Sequence, residues 1–171
     1  KRVELEGETV IEANAAYLVN TLWGTNLEKN GVKIQTSEHV LAAMMGMDLD
    51  NVLIELNAPE PPIMDGSSKY LVQALEEAGG GNQEIERDEY VVKDVFSYKD
   101  ESTSSEITII PSEQYQVTTM VDFGTKVLGT QNATLEDLSD FKKEIANART
   151  FSFLHELEML LEHGLIKGCD L

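Results

Sequence analysis

The segment from residue 36 to residue 69 constrains the fold of this chain most, because two helical patterns flank three of its four prolines. The first helical pattern carries Glu38 and His39 in its first turn, and residues 52–56 form a short β-branched run that indicates a strand. The prolines that follow cannot donate backbone hydrogen bonds and end that strand. Four apolar residues recur at helical spacing in the first pattern: Val40, Leu41, Met44 and Met47.

A second helix is predicted directly after the proline-rich turn. Asp65 is a favourable N-cap residue for it, and the three glycines at 79–81 are expected to end it. The segment therefore predicts a helix, a strand, a tight turn and a second helix in that order. The buried face of the second helix is expected to consist of Tyr70, Leu71, Ala74, Leu75 and Ala78.

The rest of the chain repeats an order of strands followed by helices. Residues 18–23 and 32–34 indicate strands around an Asn30-Gly31 pair, which favours a tight hairpin. A polar linker at 82–88 precedes further predicted strands at 90–96, 107–110 and 115–123, the second of them buried. Helical spacing begins at residue 134, and a last helix is expected over 153–163.

This order predicts an α+β fold with two similar domains, each a small sheet layered with helices. The expected domains are residues 1–81 and residues 82–171. The first is expected to be incomplete at its N-terminus and the second at its C-terminus.

Composition limits the classes of function. The chain has 31 acidic and 13 basic residues and a net charge of −18, which argues against binding of nucleic-acid phosphates. No apolar run approaches the ~20 residues that span a membrane, and the first residues lack a signal-peptide core. The single cysteine, Cys169, is compatible with a reducing compartment, and we expect a cytoplasmic protein. The oligomeric state is not indicated.

Two long motifs resemble one enzyme family. The first comprises Thr-Ser-Glu-His-Val-Leu-Ala-Ala at 36–43, the Asp-Asn strand at 50–56, and Ala-Pro-Glu-Pro-Pro-Ile-Met-Asp-Gly-Ser at 58–67. The second is Ala-Arg-Thr-Phe-Ser-Phe at 148–153, followed by Gly-Leu-Ile-Lys-Gly at 164–168. Together they resemble the UDP-3-O-acyl-N-acetylglucosamine deacetylases, or LpxC family, zinc hydrolases that commit bacteria to lipid A synthesis.

The resemblance implies a metal-assisted hydrolysis. In the family, the His of the Glu-His pair binds Zn²⁺ and the Glu is the general base, so these roles fall to His39 and Glu38. The metal would lower the pKa of its water, Glu38 would accept the proton, and the acetamide carbonyl of a UDP-sugar acyl substrate would be attacked. Without the flanking motifs, a Glu-His pair is more often a solvated helix start.

Two further site residues follow from the resemblance. Thr150 corresponds to a Thr that donates to the oxyanion, and its alternative is the N-cap of the last helix. Phe123, after Asp122, corresponds to a Phe that stacks on the uracil ring, and a core aromatic is an equal alternative. Glu156 is interpreted as a supporting acid or a solvated carboxylate.

Other parts of the family pattern are expected outside this chain. They are strands ahead of Lys1, a second His and an Asp that bind the metal, and a His that serves as general acid. His155 and His163 lie ~12 Å apart along a helix, too far for one metal site, and are interpreted as surface or helix-end residues. The chain is thus expected to be part of a longer deacetylase, or the deacetylase part of a fusion with a 3-hydroxyacyl-ACP dehydratase. The alternatives are a non-catalytic binding module of the same fold and an acidic interaction domain.

Overall fold

The computed structural model describes residues 1–7, 9–21 and 24–164. Its helices and small antiparallel sheets confirm the predicted α+β class. The chain divides into one unit of residues 1–80 with the segment from 138 onward, and a second unit of residues 81–137. The predicted domains at 1–81 and 82–171 stay a prediction. Within the described ranges, no helix is long and apolar enough to cross a membrane.

The first unit contains a three-stranded antiparallel sheet of β1 (Leu18–Asn20), β2 (Asn26–Lys29) and β3 (Val32–Ile34). Asn30 and Gly31 join β2 to β3 with φ angles of 53° and 78°. Positive φ at both central residues is the requirement of a tight hairpin turn, so the predicted hairpin is confirmed. The predicted strand at 18–23 is shorter here, and its residues 22 and 23 lie outside the described part of the chain. A small core sits against the sheet: Ile11, Leu27, Ile34, Tyr17, Val32 and Leu56.

Two helices follow the sheet and pack against each other, α1 (Glu38–Gly46) and α2 (Lys69–Ala78). Helix α1 begins at the predicted Glu-His pair and buries Val40 and Ala43. The predicted buried face of α2 is wrong, because Val72 is 1% exposed whereas Tyr70 is 43% exposed. The serines ahead of α2 are buried as well, so the helix packs through a face centred one residue from the predicted stripe.

Asp65 does not cap α2. The helix begins after Ser68, and the Asp65 carboxylate instead accepts the backbone N–H of Ser67 at 3.1 Å and its hydroxyl at 2.7 Å. Met64 and Gly66 both adopt positive φ, 51° and 78°, so the chain turns once more before the helix. An Asp side chain that bonds to the residue two positions on favours such a turn over a cap.

The predicted strand at 52–56 is reduced to one bridge. Leu56 pairs with Arg2 as an isolated parallel bridge, in which Leu56 N–H donates to the carbonyl of Lys1 and Val3 N–H donates to the carbonyl of Leu56. A strand needs a partner along its length, and the segment that pairs here is only two or three residues long. The β-branched run therefore forms one bridge rather than a ladder.

The second unit consists of two antiparallel hairpins. The first pairs β4 (Phe96–Asp100) with β5 (Ser105–Ile109), and the second pairs β6 (Val117–Asp122) with β7 (Thr130–Leu135). The predicted strand at 90–96 is wrong, since the first strand begins at Phe96. The predicted burial of the next strand is also wrong, because Ile107 is 65% exposed. Residues 134 and 135, predicted as helical, end β7 instead.

The segment from 138 onward returns to the first unit as short helical pieces. These include α3 (Phe141–Glu144) and α4 (Leu157–Glu162), each preceded by a 3-10 turn. The Phe141 ring is buried against Gly46 of α1, where a Cβ atom would overlap the ring. Helix α4 is shorter than the predicted 153–163 helix, and Gly164 follows it with φ 64°.

Candidate active site

Glu38 and His39 stand together in the first turn of α1. The Glu38 Oε2 atom accepts the backbone N–H of Thr25 at 2.7 Å, and Oε1 lies 3.9 Å from His39 Nε2. The side chains are 36% and 18% exposed, respectively, so both are partly accessible. A carboxylate in this turn lies near the positive end of the helix dipole.

The start of α1 is fastened to the entrance of β2. The Ser37 hydroxyl donates to the carbonyl oxygen of Thr25 at 2.9 Å, and the Ser37 backbone N–H donates to the same oxygen at 3.0 Å. Ser37 is buried, so these bonds are shielded from competing water. Thr25 therefore binds both Ser37, the residue before Glu38, and the Glu38 carboxylate.

His39 is fastened to the loop that precedes α2. The Ser68 hydroxyl donates to the backbone carbonyl oxygen of His39 at 3.0 Å, and Ser68 is buried. This bond fixes the backbone of the first turn while leaving both imidazole nitrogens for other partners. It also joins the Glu-His pair to the Met-Asp-Gly-Ser turn, the other part of the first sequence motif.

Thr150 lies against that same loop. Its backbone N–H donates to the carbonyl oxygen of Gly66 at 2.7 Å, and a Cβ on Gly66 would lie 3.1 Å from the Thr150 methyl carbon. The last helical segment begins at Leu154 with Phe153 at its N-cap position, so the N-cap alternative for Thr150 is wrong. The structure thus brings Thr150 to the loop that anchors His39, and its catalytic role stays a prediction.

Asp65 is the ionisable group of this loop with a displaced pKa. The hydrogen bond from the Ser67 hydroxyl is the main cause that lowers the pKa of Asp65 from its ordinary value, and burial opposes it to a smaller extent. The Ser67 backbone N–H and nearby Lys69 lower the pKa further, with lesser effects. Ser67 is 1% exposed. The charged carboxylate therefore organises the turn that carries Gly66 and Ser68.

The remaining predicted residues lie elsewhere. Phe123 belongs to the second unit, where it follows β6, is partly buried and donates its N–H to the carbonyl of Gly129 at 3.0 Å. Glu156 accepts the backbone N–H of Phe153 at 2.9 Å, so it stabilises the start of the last helical segment. His163 is exposed at the end of α4, with Nδ1 2.7 Å from the Met159 carbonyl oxygen, as expected of a helix-end histidine.

His39 could serve as one ligand of a zinc site. Among the described residues, no three His, Cys, Asp or Glu side chains gather closely enough to hold a metal ion. A zinc site takes three or four protein ligands, and His39 is the imidazole that this region offers. The described residues therefore fit a single ligand of such a site and do not form the whole of it.

Two contributors to this geometry were not predicted from the sequence. The Thr25 backbone N–H binds Glu38, which lies 13 residues away in the chain. The Ser68 hydroxyl binds the His39 carbonyl, which lies 29 residues away. The Asp-Gly-Ser turn pointed to the neighbourhood of Ser68. Nothing in the local sequence around Thr25 distinguishes it from an ordinary strand start.

Comparison with known proteins places the whole chain in one family. The family model described as UDP-3-O-acyl N-acetylglycosamine deacetylase, LpxC, matches residues 1–171. The chain is 44% identical to the bifunctional enzyme LpxC/FabZ of Bacteroides thetaiotaomicron over all 171 residues, which cover 37% of that relative. It is equally identical, at 44%, to the LpxC/FabZ enzyme of Porphyromonas gingivalis, with 37% of that relative covered.

A single-function relative matches over the same residues. The UDP-3-O-acyl-N-acetylglucosamine deacetylase of Myxococcus xanthus is 36% identical across 99% of this chain, which covers 54% of that relative. The chain thus spans roughly half or less of the lengths of these relatives. The family model matches every residue of the chain, and the chain belongs to the LpxC family, the UDP-3-O-acyl N-acetylglycosamine deacetylases.

Proposed function

We propose that the protein containing these residues hydrolyses the acetamide of UDP-3-O-acyl-N-acetylglucosamine, a step of lipid A biosynthesis. Water adds to the acetamide carbonyl, the C–N bond breaks, and acetate and the free sugar amine are released. The observation that carries the proposal is the Glu38–His39 pair in the first turn of α1, with the Glu38 carboxylate held by Thr25 N–H at 2.7 Å. Family membership supports the substrate class.

Zinc is the proposed cofactor, and His39 is the ligand that these residues contribute. When bound, zinc lowers the pKa of water toward neutrality and polarises a carbonyl oxygen. The other ligands are proposed to come from outside the described residues. The Ser68 bond to the His39 backbone at 3.0 Å supports this role, because a ligand must be held in place before the metal arrives.

Glu38 is proposed as the general base. Its Oε2 atom is occupied by the Thr25 N–H, and this bond leaves Oε1, on the side of His39, to accept a proton from the attacking water. A base that is already oriented need not be ordered during the reaction, and a well-placed base contributes on the order of 10² to 10⁴ in rate.

Thr150 and Phe123 receive the remaining proposed roles. The Thr150 hydroxyl would donate to the oxyanion that develops on the acetamide oxygen, and its attachment to the Gly66 loop supports that placement. Phe123 would stack on the uracil ring of the nucleotide, and its position directly after a strand, partly buried, supports a fixed aromatic surface.

Two wider features complete the proposal. The single cysteine supports a reducing compartment, and we place the activity in the cytoplasm. A dehydratase domain fused to the native protein stays a prediction, supported by the two bifunctional relatives.

The direct test is acetate release from UDP-3-O-acyl-N-acetylglucosamine by the native gene product that contains these residues. The proposal expects turnover that stops when zinc is removed by a chelator and returns when zinc is added. Calorimetric titration with the same substrate distinguishes the deacetylase from the alternative, a non-catalytic binding module. Substrate binding without acetate release at any zinc concentration would contradict the deacetylase and favour a binding module.

A further inference from the structure

Thr25, the residue directly before β2, is hydrogen-bonded to Glu38 and to its neighbour Ser37. Thr25 donates its N–H to Glu38 Oε2 at 2.7 Å, and its carbonyl oxygen accepts two bonds from Ser37, at 2.9 Å and 3.0 Å. Both polar groups of the Thr25 peptide backbone therefore end on the first turn of α1. A bond to an ionised carboxylate is stronger than one between neutral groups.

Gly24 approaches the other oxygen of the same carboxylate. A Cβ at Gly24 would lie 3.3 Å from Glu38 Oε1, and 3.3 Å from both the Cα and the Oγ1 of Thr36. Two of these three atoms belong to the backbone or to a short side chain that cannot easily move aside. The φ angle of Gly24 is 153°, in a region that residues with side chains rarely adopt.

Asn26 braces the turn from its other side. Its side-chain N–H₂ group donates to the carbonyl of Gly24 at 3.2 Å and to the side chain of Asn20 at 2.7 Å. Its side-chain oxygen accepts the backbone N–H of Thr36 at 3.3 Å. The turn is thus fixed to β1 and to the residues that lead into α1, and it cannot shift without breaking several bonds.

We infer that Gly24 and Thr25 form a positioning turn for Glu38, which holds one carboxylate oxygen and leaves space beside the other. The inference rests on the proposed function, because it assigns the turn to the general base of that reaction. Thr25 orients the carboxylate through Oε2. Gly24 keeps the volume beside Oε1 free of a side chain, so that this oxygen can face the reacting water.

The bond from Thr25 to Glu38 is tested first without reference to activity. Amide hydrogen exchange of Thr25 is measured in the native gene product and in its Glu38→Ala variant, with Glu28→Ala on β2 as the matched control. We expect exchange of the Thr25 amide to accelerate about tenfold or more in Glu38→Ala, since a charge-assisted bond is lost. Equal protection of the Thr25 amide in Glu38→Ala and the wild type would overturn the inference.

The role of Gly24 is tested by kinetics in the native gene product. Gly24→Ala is expected to lower kcat about tenfold or more with KM unchanged, because the displaced carboxylate acts only in the chemical step. Gly31→Ala is the matched control: Gly31 also has a positive φ, 78°, but no atom lies within 4 Å of an added Cβ. The control is expected to retain its kcat.

A double variant separates positioning from general destabilisation. In a Glu38→Gln background, Gly24→Ala is expected to change kcat by less than about twofold, because the group it displaces no longer acts as a base. The same loss in both backgrounds, or no loss in either, would overturn the inference. Should Gly24→Ala fail to fold by circular dichroism, Ser37→Ala is used in the same cycle with the same expectations.

Failure of the proposed function has a different signature. A wild-type protein that releases no acetate would contradict the deacetylase activity, while the exchange result still decides whether Thr25 holds Glu38. Acetate release that depends on Glu38 but not on Gly24 would overturn the positioning turn alone.

Discussion

Glu38 and His39 are neighbours in the chain, but different contacts hold them. The Glu38 side chain is held directly through Thr25 N–H at 2.7 Å, whereas Ser68 holds His39 through its backbone carbonyl at 3.0 Å. The Ser68 bond therefore fixes the His39 backbone and makes no contact with the imidazole nitrogens. The carboxylate, by contrast, is oriented before any ligand binds.

Replacement of His39 by alanine is predicted to remove zinc from the native gene product. The expected result is one zinc per protein in the wild type and a loss of at least about tenfold in zinc affinity for His39→Ala, because one of three or four ligands is missing. Metal content is measured by mass spectrometry after gel filtration. His163→Ala, an exposed helix-end histidine, is the control, and equal zinc in both variants would contradict the assignment.

Ser67→Ala is predicted to lower stability in a pH-dependent way. The Ser67 hydroxyl lowers the folded-state pKa of Asp65, so its contribution is complete above the unfolded pKa of about 3.9 and is lost as pH falls through the lower folded value. The loss of a buried hydroxyl bond is expected to cost about 1 kcal/mol at pH 6. The difference from wild type should shrink toward pH 2.

Urea unfolding at pH 6 and at pH 2.5 measures this effect. Ser112→Ala is a suitable control, because its hydroxyl bonds to the exposed backbone N–H of Gln114 rather than to a carboxylate. A Ser67→Ala difference that is constant, or that grows toward acid pH, would show that the Asp65 bond is not its source.

Some residues of the candidate site are marked by sequence motifs, whereas others join it only through contacts distant in the chain. Glu38, His39 and Thr150 were predicted through the family resemblance of their motifs, and the structure places all three on or beside α1 and the 65–68 loop. Gly24 and Thr25 were missed because their contacts join residues 12 to 14 positions apart. When a glycine is required because a Cβ would approach residues distant in the chain, the sequence beside that glycine gives no sign of it.

At the scale of elements, the contact between α1 and α3 depends on one absent side chain. Gly46 closes α1, and the buried Phe141 ring of α3 occupies the space where its Cβ would stand. Alanine in a helix is ordinarily more stable than glycine by about 1 kcal/mol. Here overpacking should reverse the sign.

Gly46→Ala is predicted to lower the free energy of unfolding by about 1 to 3 kcal/mol, the usual cost of overpacking. Thermal unfolding measures it, and Gly81→Ala, where an added Cβ meets no atom within 4 Å, is the control. The double variant with Phe141→Leu should lose less than the sum of the single variants. A stabilising Gly46→Ala would contradict the packing.

The elements that were predicted correctly are those whose signals are local. The start of α1 at the Glu-His pair and the Asn30-Gly31 turn have signals within a few residues, and both are present. Of the predicted α1 stripe, Val40 is buried, whereas Met47 follows the helix. The strand at 52–56 failed because β-structure needs a partner elsewhere in the chain, and Arg2 offers a single bridge. The stripe of α2 failed because burial is decided by what packs on the helix, and Val72 faces that contact.

At the scale of the molecule, charge is the most uniform property. The chain has a net charge of −18 over 171 residues. Its excess acidic side chains repel one another, and this repulsion opposes the compact state. Raising NaCl from 10 to 150 mM is predicted to raise the Tm of the chain by about 2 to 5 °C, because the screening length falls from ~30 Å to ~8 Å. A Tm that falls or stays constant in scanning calorimetry would contradict this.

The same charge decided which functions were excluded, but it could not identify the substrate. The family was found through two motifs, one in residues 36–67 and one beginning at residue 148, and the comparison confirms it over the whole chain. The association of the C-terminal segment with the first unit has no signal in the local sequence. Residues from 138 onward associate with the first 80 residues, and contacts of that range in sequence have no local signature.

The measurement that tests the central claim most directly is acetate release by the Glu38→Gln variant of the native gene product, at zinc content equal to that of the wild type. The substitution keeps the size and an acceptor oxygen for Thr25 N–H but removes the base. We predict a fall in kcat of about 10² or more with KM within about twofold. A Glu38→Gln variant that retains kcat within about threefold would contradict the account.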